Sequence, residues 1–220
     1  MAIFNTVYGG EWKWKPWANT IAYYPLNWNL NDSSGNWYNS IASWWTLSYP
    51  SNKYLQLSSW YSRFQSPLWW WVLTSELTIS VWEKDIPYNS ENTIFCIWVD
   101  GISGSWWCYR LLWNNWGYKV WTTNGITWIE TSVYPTTSWI WHHLVAILKP
   151  SNYIKIYIDG TLKETKTISY NPRNPWWYMA LWQTTTSQSI SWYLDEIILE
   201  NKERTAEKIS KYYKSTKWNY

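Results

Sequence analysis

Short runs of alternating hydrophobic and polar residues recur along the whole chain. Residues 77–83 read LTISVWE, and residues 154–158 read IKIYI. Successive side chains of a β-strand point to opposite faces, so this period of two predicts strands with one buried face. Asp159-Gly160 directly follows the second run. That pair favours the tight turn of a β-hairpin, in which both central residues need a positive φ.

The same reasoning predicts strands along most of the chain and one helix near its end. Strands are predicted over residues 21–26, 54–57, 62–65, 77–83, 93–99, 108–112, 118–122, 140–148, 153–158, 162–168, 178–181 and 193–200. Thr205 can cap a helix whose apolar side includes Ile209 and Tyr212. Many short strands separated by turns are typical of a sandwich or barrel. We therefore predict an all-β fold with a short C-terminal helix.

Length and charge narrow the organisation and the partners. The chain of 220 residues is long enough for one large β domain. We expect residues 1–20 to be an extension or linker and residues 21–220 to form that domain. A net charge of +3 provides no strongly basic face for nucleic acid. No apolar run reaches the ~20 residues that cross a bilayer, so we expect no membrane insertion.

The beginning of the chain does not resemble a signal peptide. Residues 1–20 lack an apolar core and contain Lys13 and Lys15. If the protein is exported, this segment was cut from a longer chain.

Tryptophan is unusually frequent and glycine unusually rare. The chain has 26 Trp and 8 Gly, although glycine averages about 7% of residues in proteins. Trp28, Trp37 and Trp116 follow asparagines in turn-like contexts. A residue with a Cβ loses roughly 1–2 kcal/mol in the left-handed conformations that turns require, whereas glycine adopts them freely. Trp82 and Trp141, by contrast, lie in alternating strand patterns that suit an indole.

Two populations of tryptophan suggest a recoded codon. We hypothesise that the gene reads UGA as glycine and that translation with the standard code wrote those positions as Trp. The alternative is a genuinely tryptophan-rich protein. TGA codons at Trp28, Trp37 and Trp116, with TGG at Trp82 and Trp141, would support recoding.

With glycine at such positions, six segments resemble the laminin-G-like jelly-roll domain of the concanavalin A-like superfamily. The segments are YYPLNWNLNDSSGN at 23–36, LTISVW at 77–82, WHHLVA at 141–146, IKIYIDG at 154–160, SWYLDEI at 191–197 and TAEKI at 205–209. The resemblance runs from about residue 21 to residue 213, in the family's order. It implies a two-sheet antiparallel jelly-roll sandwich.

The same superfamily includes glucanases, whose catalytic strand carries Glu-x-Asp-x-x-Glu. Here the nearest match is Asp195-Glu196 followed by Glu200. Retaining glycosidases need two carboxyls about 5–5.5 Å apart on one face. Strand alternation predicts that Asp195 and Glu196 point to opposite faces, and Asp195 and Glu200 likewise. We therefore expect no enzyme activity and no catalytic residues.

Two other pairs of reactive residues have ordinary explanations. His142 and His143 are neighbours on a predicted strand and should diverge, without a Ser-His-Asp or Cys-His arrangement. The only two cysteines are Cys96 and Cys108. If their strands pair symmetrically about Ile102, a cross-strand disulfide is feasible, which would fit an oxidising compartment; the alternative is two free buried thiols.

Calcium is the one cofactor that the residues suggest. The loop at residues 31–36 is rich in the carboxylate, amide and carbonyl oxygens that calcium prefers. In similar domains the opening segment lies near the closing strand, which would bring Asp195 close to Asp32. The alternative for Asp32 is a side chain that caps its own turn.

Together, these observations predict a non-catalytic extracellular or cell-surface recognition module, part of a larger protein. It would bind a glycan or a surface protein through loops at the sandwich rim or through an aromatic-bearing face. A spacer domain without its own ligand is the alternative, followed by a glucanase. Lys208, Lys211 and Lys214 form a basic side of the predicted helix, which is either solvated or meets a partner or an anionic polymer.

Overall fold

The computed structural model describes residues 18–27, 29–43, 47–50, 53–57, 63–66, 76–84, 92–99, 106–114, 117–171, 178–184 and 192–220. The strands are β1 (Thr20–Tyr24), β2 (Ile41–Ser43), β3 (Leu47–Ser48), β4 (Leu55–Leu57), β5 (Arg63–Ser66), β6 (Leu77–Lys84), β7 (Asn92–Val99), β8 (Trp106–Asn114), β9 (Gly117–Thr123), β10 (Trp128–Glu130), β11 (Tyr134–Pro135), β12 (Trp141–Lys149), β13 (Tyr153–Ile158), β14 (Thr161–Thr167), β15 (Tyr178–Thr184) and β16 (Trp192–Glu200). The helix α1 is Ala206–Thr216.

These strands form two antiparallel sheets. Sheet A has the order β14-β13-β12-β6-β16-β4-β3, and β1 also pairs with β16. Sheet B has the order β10-β9-β8-β7-β15-β5-β2, and β11 also pairs with β9. Residues far apart in the chain therefore meet at the centre of each sheet. This architecture confirms the predicted all-β jelly-roll sandwich.

One hydrophobic core lies between the sheets. Sheet A contributes Ile79 of β6 and Leu144 of β12, and sheet B contributes Phe95, Leu111 and Val120, all buried. Removing such side chains from water stabilises the fold by roughly 25 cal/mol per Å² of apolar surface. The alternation read from the sequence thus assigns these positions to the inner faces.

The outer face of sheet A is also covered, by the C-terminal helix. Ile209 of α1 packs with Val145 and Ile147, and Tyr212 packs with Trp82 and Ile198. The central strands of sheet A are therefore buried on both faces. Their outward-facing residues are covered by α1. This third layer creates the environment of the candidate site described below.

The helix begins as predicted. The Oγ1 of Thr205 accepts a hydrogen bond from the backbone N–H of Lys208, which caps the first turn. Lys208, Lys211 and Lys214 are exposed to solvent, and their role with a partner stays a prediction. No helix among the described residues is long and apolar enough to cross a membrane.

All twelve predicted strands are present, and four short strands are additional. β2, β3, β10 and β11 have only two or three residues each, too few for alternation to reveal them. The Asp159-Gly160 turn is confirmed, with φ of 52° and 74°. The expected extension at residues 1–20 lies outside the described residues except for its last three, and β1 begins at Thr20.

The register of β7 and β8 differs from the symmetric pairing about Ile102. Cys96 lies opposite Arg110, Ile97 opposite Tyr109 and Trp98 opposite Trp107. A bulge between Ile97 and Trp98 therefore leaves Cys108 as the extra residue on β8. The premise of the cross-strand disulfide was wrong, because the two cysteines are not register partners.

Candidate functional site

A β-bulge in the closing strand places two neighbouring carboxyl groups on the same side of sheet A. The register of β16 with β6 shifts between Asp195 and Ile198, and Glu196 has a φ of 47°. The hydroxyl of Tyr212 in α1 donates to Glu196 Oε2, and that of Tyr220 donates to Asp195 Oδ2 at 2.7 Å. Both carboxyls therefore face the C-terminal segment. The prediction that they point to opposite faces was wrong, because strand parity does not continue through a bulge.

The bulge also resets the position of Glu200. Its carboxyl accepts a hydrogen bond from Nε of Arg204 at 2.6 Å on the outer side of the sheet. Leu199 between Ile198 and Glu200 belongs to the inner core. Asp195 and Glu200 thus share the outer face, contrary to the parity argument from the sequence.

Burial changes the acidity of this carboxyl pair. Desolvation raises the pKa of Asp195 to about 8, although the hydrogen bond from Tyr220 opposes part of the rise. Desolvation also raises the pKa of Glu196, against the hydrogen bond from Tyr212. The charged form of each acid is disfavoured because protein replaces the surrounding water. Each carboxyl accepts a hydrogen bond from a phenol of the C-terminal segment.

Trp82 forms the floor beside the acids. Its side chain is 1% exposed and stacks on the ring of Tyr220 at 4.3 Å with an interplanar angle of 24°. Tyr213 of α1 stacks on the same indole at 5.8 Å, and His143 lies 5.2 Å away. Stacked aromatic pairs contribute about 0.5–1.5 kcal/mol beyond the area they bury. The indole is therefore an integral part of the layer between sheet A and α1.

The two histidines diverge, as the sequence predicted. His143 bonds Ser80 Oγ through Nε2 at 2.8 Å beneath α1, and burial followed by the charge of Arg204 lowers its pKa to about 3. His142 bonds Asp159 through Nδ1 at 2.8 Å and the carbonyl of Thr137 through Nε2 at 3.0 Å. Both rings serve structural contacts. Among the described residues, no cluster of three or more His, Cys, Asp and Glu side chains is arranged to hold a metal.

Half-buried aromatic rings continue the site toward the end of the sheet. Trp141 of β12 and Tyr193 of β16 each lie opposite Lys84 of β6 in the strand register. Tyr54 precedes β4, and its ring lies 5.5 Å from Trp141 and 5.2 Å from Tyr193. We call Tyr54, Trp141 and Tyr193 the aromatic triad.

Lys84 and Tyr220 lie beside the aromatic triad. The Nζ of Lys84 lies 5.6 Å from the centre of the Tyr193 ring. Tyr220 lies 4.9 Å from Trp141 and 4.3 Å from Trp82, so it links the triad to the buried acids. Sequence reasoning identified Trp82, Trp141 and Asp195 but missed Tyr54, Lys84 and Tyr193. Lys84 is two residues from Trp82 on the same strand, so alternation alone places both on one face. Tyr54 and Tyr193 could be added only by knowing which predicted strands pair.

The residues predicted to hold calcium perform different tasks. Asp32 accepts four hydrogen bonds, from the backbone N–H groups of Tyr23, Ser34 and Tyr38 and from the Ser34 hydroxyl, at 2.8–3.0 Å. β1 does pair with β16, but Asp195 bonds Tyr220 and the N–H of Glu196. A cation at Asp32 would have to displace donors that already occupy both carboxylate oxygens. These hydrogen bonds match the alternative reading of Asp32 as a side chain that caps its own turn, and the calcium site at Asp32 and Asp195 stays a prediction.

Comparisons with known proteins support the fold. No protein-family model and no curated protein sequence matches the chain. The solved binding domain of botulinum neurotoxin serotype G is similar, with a TM-score of 0.71, 16% identity and coverage of 90% of this chain and 51% of that one. The binding domain of Paraclostridial Mosquitocidal Protein 1 has a TM-score of 0.72 and 13% identity, and the match covers 90% of this chain and 52% of that one. The binding domain of botulinum neurotoxin DC, solved in complex with SialylT, has a TM-score of 0.71 and 14% identity. The match covers 90% of this chain and 52% of that one.

These likenesses concern architecture. At 13–16% identity they show a shared β-sandwich fold and do not transfer a site. The chain spans about half the length of the solved domains that it matches.

Proposed function

We propose that this chain is a non-catalytic recognition module that binds carbohydrate through the aromatic triad. The observation that carries the proposal is the convergence of three half-buried rings and one lysine at one end of the outer face of sheet A. The rings come from three separate elements and lie 5.2–6.4 Å apart. The rings pack together at interplanar angles of 53–85°, with Lys84 beside Tyr193 as a polar edge.

This combination suits the chemistry of sugars. The C–H faces of a pyranose ring pack against aromatic side chains, while its hydroxyls need hydrogen-bond partners. Lys84 provides three donors beside Tyr193. Aromatic rings also contribute a large contact area at a small cost in conformational entropy, because each has only two rotatable bonds.

The parent family and location are part of the proposal. The six segments that resemble laminin-G-like domains fall, where described, on β1 and its following loop, β6, β12, β13, β16 and the beginning of α1, which supports membership of the concanavalin A-like superfamily. The solved neighbours are named as receptor-binding or binding domains, and one was solved with SialylT. We propose by analogy an extracellular or surface location, within a larger protein.

Glycan binding by matched variants tests the function. The intact protein should bind a subset of oligosaccharides on a glycan array. Trp141→Ala and Tyr193→Ala should each weaken that binding by at least about tenfold, which corresponds to 1.4 kcal/mol. Trp128→Ala is the matched control, because Trp128 is 66% exposed and lies in β10 of the other sheet; its binding should equal that of the intact protein.

Three outcomes would contradict the proposal. Binding that survives both triad substitutions would place the site elsewhere. An array without any bound glycan would favour the spacer alternative. Hydrolysis of a bound oligosaccharide would instead show an enzyme, and would direct attention to Asp195 and Glu196 on their shared face.

A further inference from the structure

Tyr220 is held in the manner of a bound ligand. Its ring stacks on Trp82 at 4.3 Å and lies 4.9 Å from Trp141 at an angle of 51°. Its hydroxyl donates to Asp195 Oδ2 at 2.7 Å. An apolar ring between two indoles, fixed by one directed hydrogen bond, is the arrangement expected of a small-molecule pocket.

The walls of this pocket retain unused hydrogen-bonding capacity. Trp82 Nε1 is buried and has no hydrogen-bond partner among the described residues. Such groups are uncommon in folded proteins, because an unpaired buried polar atom costs about 1–3 kcal/mol. A phenol has a single hydroxyl, whereas a sugar ring carries several. With Tyr220 in place, a buried hydrogen-bonding group stays unpaired. A ligand with more hydroxyls could pair with it.

The segment that positions Tyr220 is short and lies at the surface. After α1, residues Lys217–Asn219 form one 3-10 turn without a buried residue. The N–H of Tyr220 bonds the carbonyl of Lys217 at 3.4 Å, a contact within the segment itself. Trp218 is 81% exposed. Displacing the segment requires the loss of the contacts of the Tyr220 ring and of the contact between Lys217 Nζ and the Tyr213 ring at 5.8 Å.

We infer that Tyr220 is an internal ligand in a ring-binding pocket formed by Trp82, Trp141 and Asp195, and that a carbohydrate ring competes with it there. This inference rests on the proposed function and deepens it. Since Trp141 borders both the pocket and the triad, displacement of Tyr220 lengthens the aromatic surface by one ring position. The segment 217–220 then acts as a strap that lowers the affinity for glycan until a longer ligand displaces it.

Small probes test the pocket without reference to any array result. 4-Methylphenol reproduces the missing side chain, so it should bind Tyr220→Ala at least about tenfold more tightly than the intact protein. Binding is measured by tryptophan fluorescence and by the rise in melting temperature. Trp218→Ala is the matched control, because it truncates an exposed aromatic of the same segment; it should bind the probe like the intact protein. Equal binding by all three proteins overturns the inference.

A competition experiment tests the sugar class. Methyl β-glucopyranoside and methyl β-galactopyranoside are titrated into Tyr220→Ala loaded with 4-methylphenol. Displacement of the phenol by either sugar supports the inference, and failure of both overturns the assignment of the pocket to carbohydrate. Tyr220→Phe keeps the ring without the hydroxyl, so it should exclude the probe nearly as well as the intact protein and shows that the mutant fold is preserved. Because the triad is tested separately with Trp141→Ala and Tyr193→Ala, the pocket can fail while the proposed function stands.

Discussion

The region under the C-terminal helix and the loops of the sandwich use tryptophan in opposite ways. Trp82 lies in a strand, is 1% exposed and stacks on two tyrosines. Trp37 and Trp139 are 84% and 56% exposed and have φ of 63° and 70°. In the first region the indole stabilises the packing of α1 on sheet A. In the loops it gains little from burial while its Cβ occupies the left-handed conformation that glycine favours.

This difference separates two kinds of position that composition alone cannot distinguish. Trp128 is also exposed, but it lies in β10 with strand geometry, so exposure is not the criterion. The positive φ at Trp37 and Trp139 is the conformation expected of glycine, and it supports the proposal that UGA encodes glycine in this gene. Trp28 and Trp116 lie outside the described residues, and their codons stay a prediction.

The largest expected effect is at the buried indole. Trp82→Gly should lower the free energy of unfolding by about 3–5 kcal/mol, because it leaves a cavity beneath α1, and glycine in a strand adds a further loss. Urea unfolding measures this change, with Trp82→Phe as a control that keeps part of the stack. A loss below 1 kcal/mol would contradict the distinction between the two regions.

Protonation of Asp195 gives the next effect. Between its unfolded pKa of 3.8 and its folded pKa of about 8, the folded chain holds a proton that the unfolded chain has released. Stability therefore falls as pH rises through this window, by up to about 1.4 kcal/mol per pH unit. His143, with a pKa lowered from 6.5 to about 3, acts in the opposite direction between those values.

His143 acts only below pH 6.5, so the decline is measured between pH 6.5 and 8, where the raised pKa of Glu196 contributes in the same direction as that of Asp195. Asp195→Asn imitates the protonated acid and should reduce the decline in that range by the share that Asp195 contributes. Urea unfolding at pH 6.5 and pH 8 on both proteins measures it. An equal decline in Asp195→Asn would show that another group is responsible.

The loop tryptophans should respond in the opposite sense to Trp82. Trp37→Gly and Trp139→Gly should each stabilise the protein by about 1–2 kcal/mol, by relieving the left-handed strain. This corresponds to a rise of roughly 2–4 °C in melting temperature per kcal/mol for a domain of this size. Trp37→Ala removes the indole but keeps the Cβ, so it should give no such gain.

Trp128→Gly is the second control for this pair. It should destabilise by roughly 0.5–1 kcal/mol, the usual cost of glycine in a strand. Stabilisation by this substitution as well would mean that loss of an exposed indole, rather than relief of φ, explains the result. Sequencing the codons at Trp37 and Trp139 is an independent test. TGG at both positions would contradict the recoding proposal.

Calcium should give the smallest effect, in the same loop as Trp37. Since the oxygens of Asp32 already accept four hydrogen bonds, millimolar calcium and a chelator should leave the melting temperature equal within about 1 °C, less than the shift from 1 kcal/mol. A larger rise with calcium would support the predicted site at Asp32 and Asp195.

Local patterns predicted the elements but not their alignment. Alternation located β6 and β13, and the Asp159-Gly160 pair located its hairpin, because these features depend on neighbouring residues. The bulge at Glu196 reversed the deduced orientation of Asp195 and Glu196 because it arises from pairing with β6. The aromatic triad was missed for the same reason, since Tyr54, Trp141 and Tyr193 meet only through the order of strands in sheet A.

The edge strand β14 of sheet A also affects how one copy of the domain behaves beside other copies. β14 is an edge strand, and nearly every side chain in it is exposed, including Lys163 and Lys166. An unpaired edge offers backbone groups to any passing strand, and lysines there oppose such pairing because it would strip water from their charges. Several copies crowded together at high local density can therefore remain separate units instead of merging into one continuous sheet.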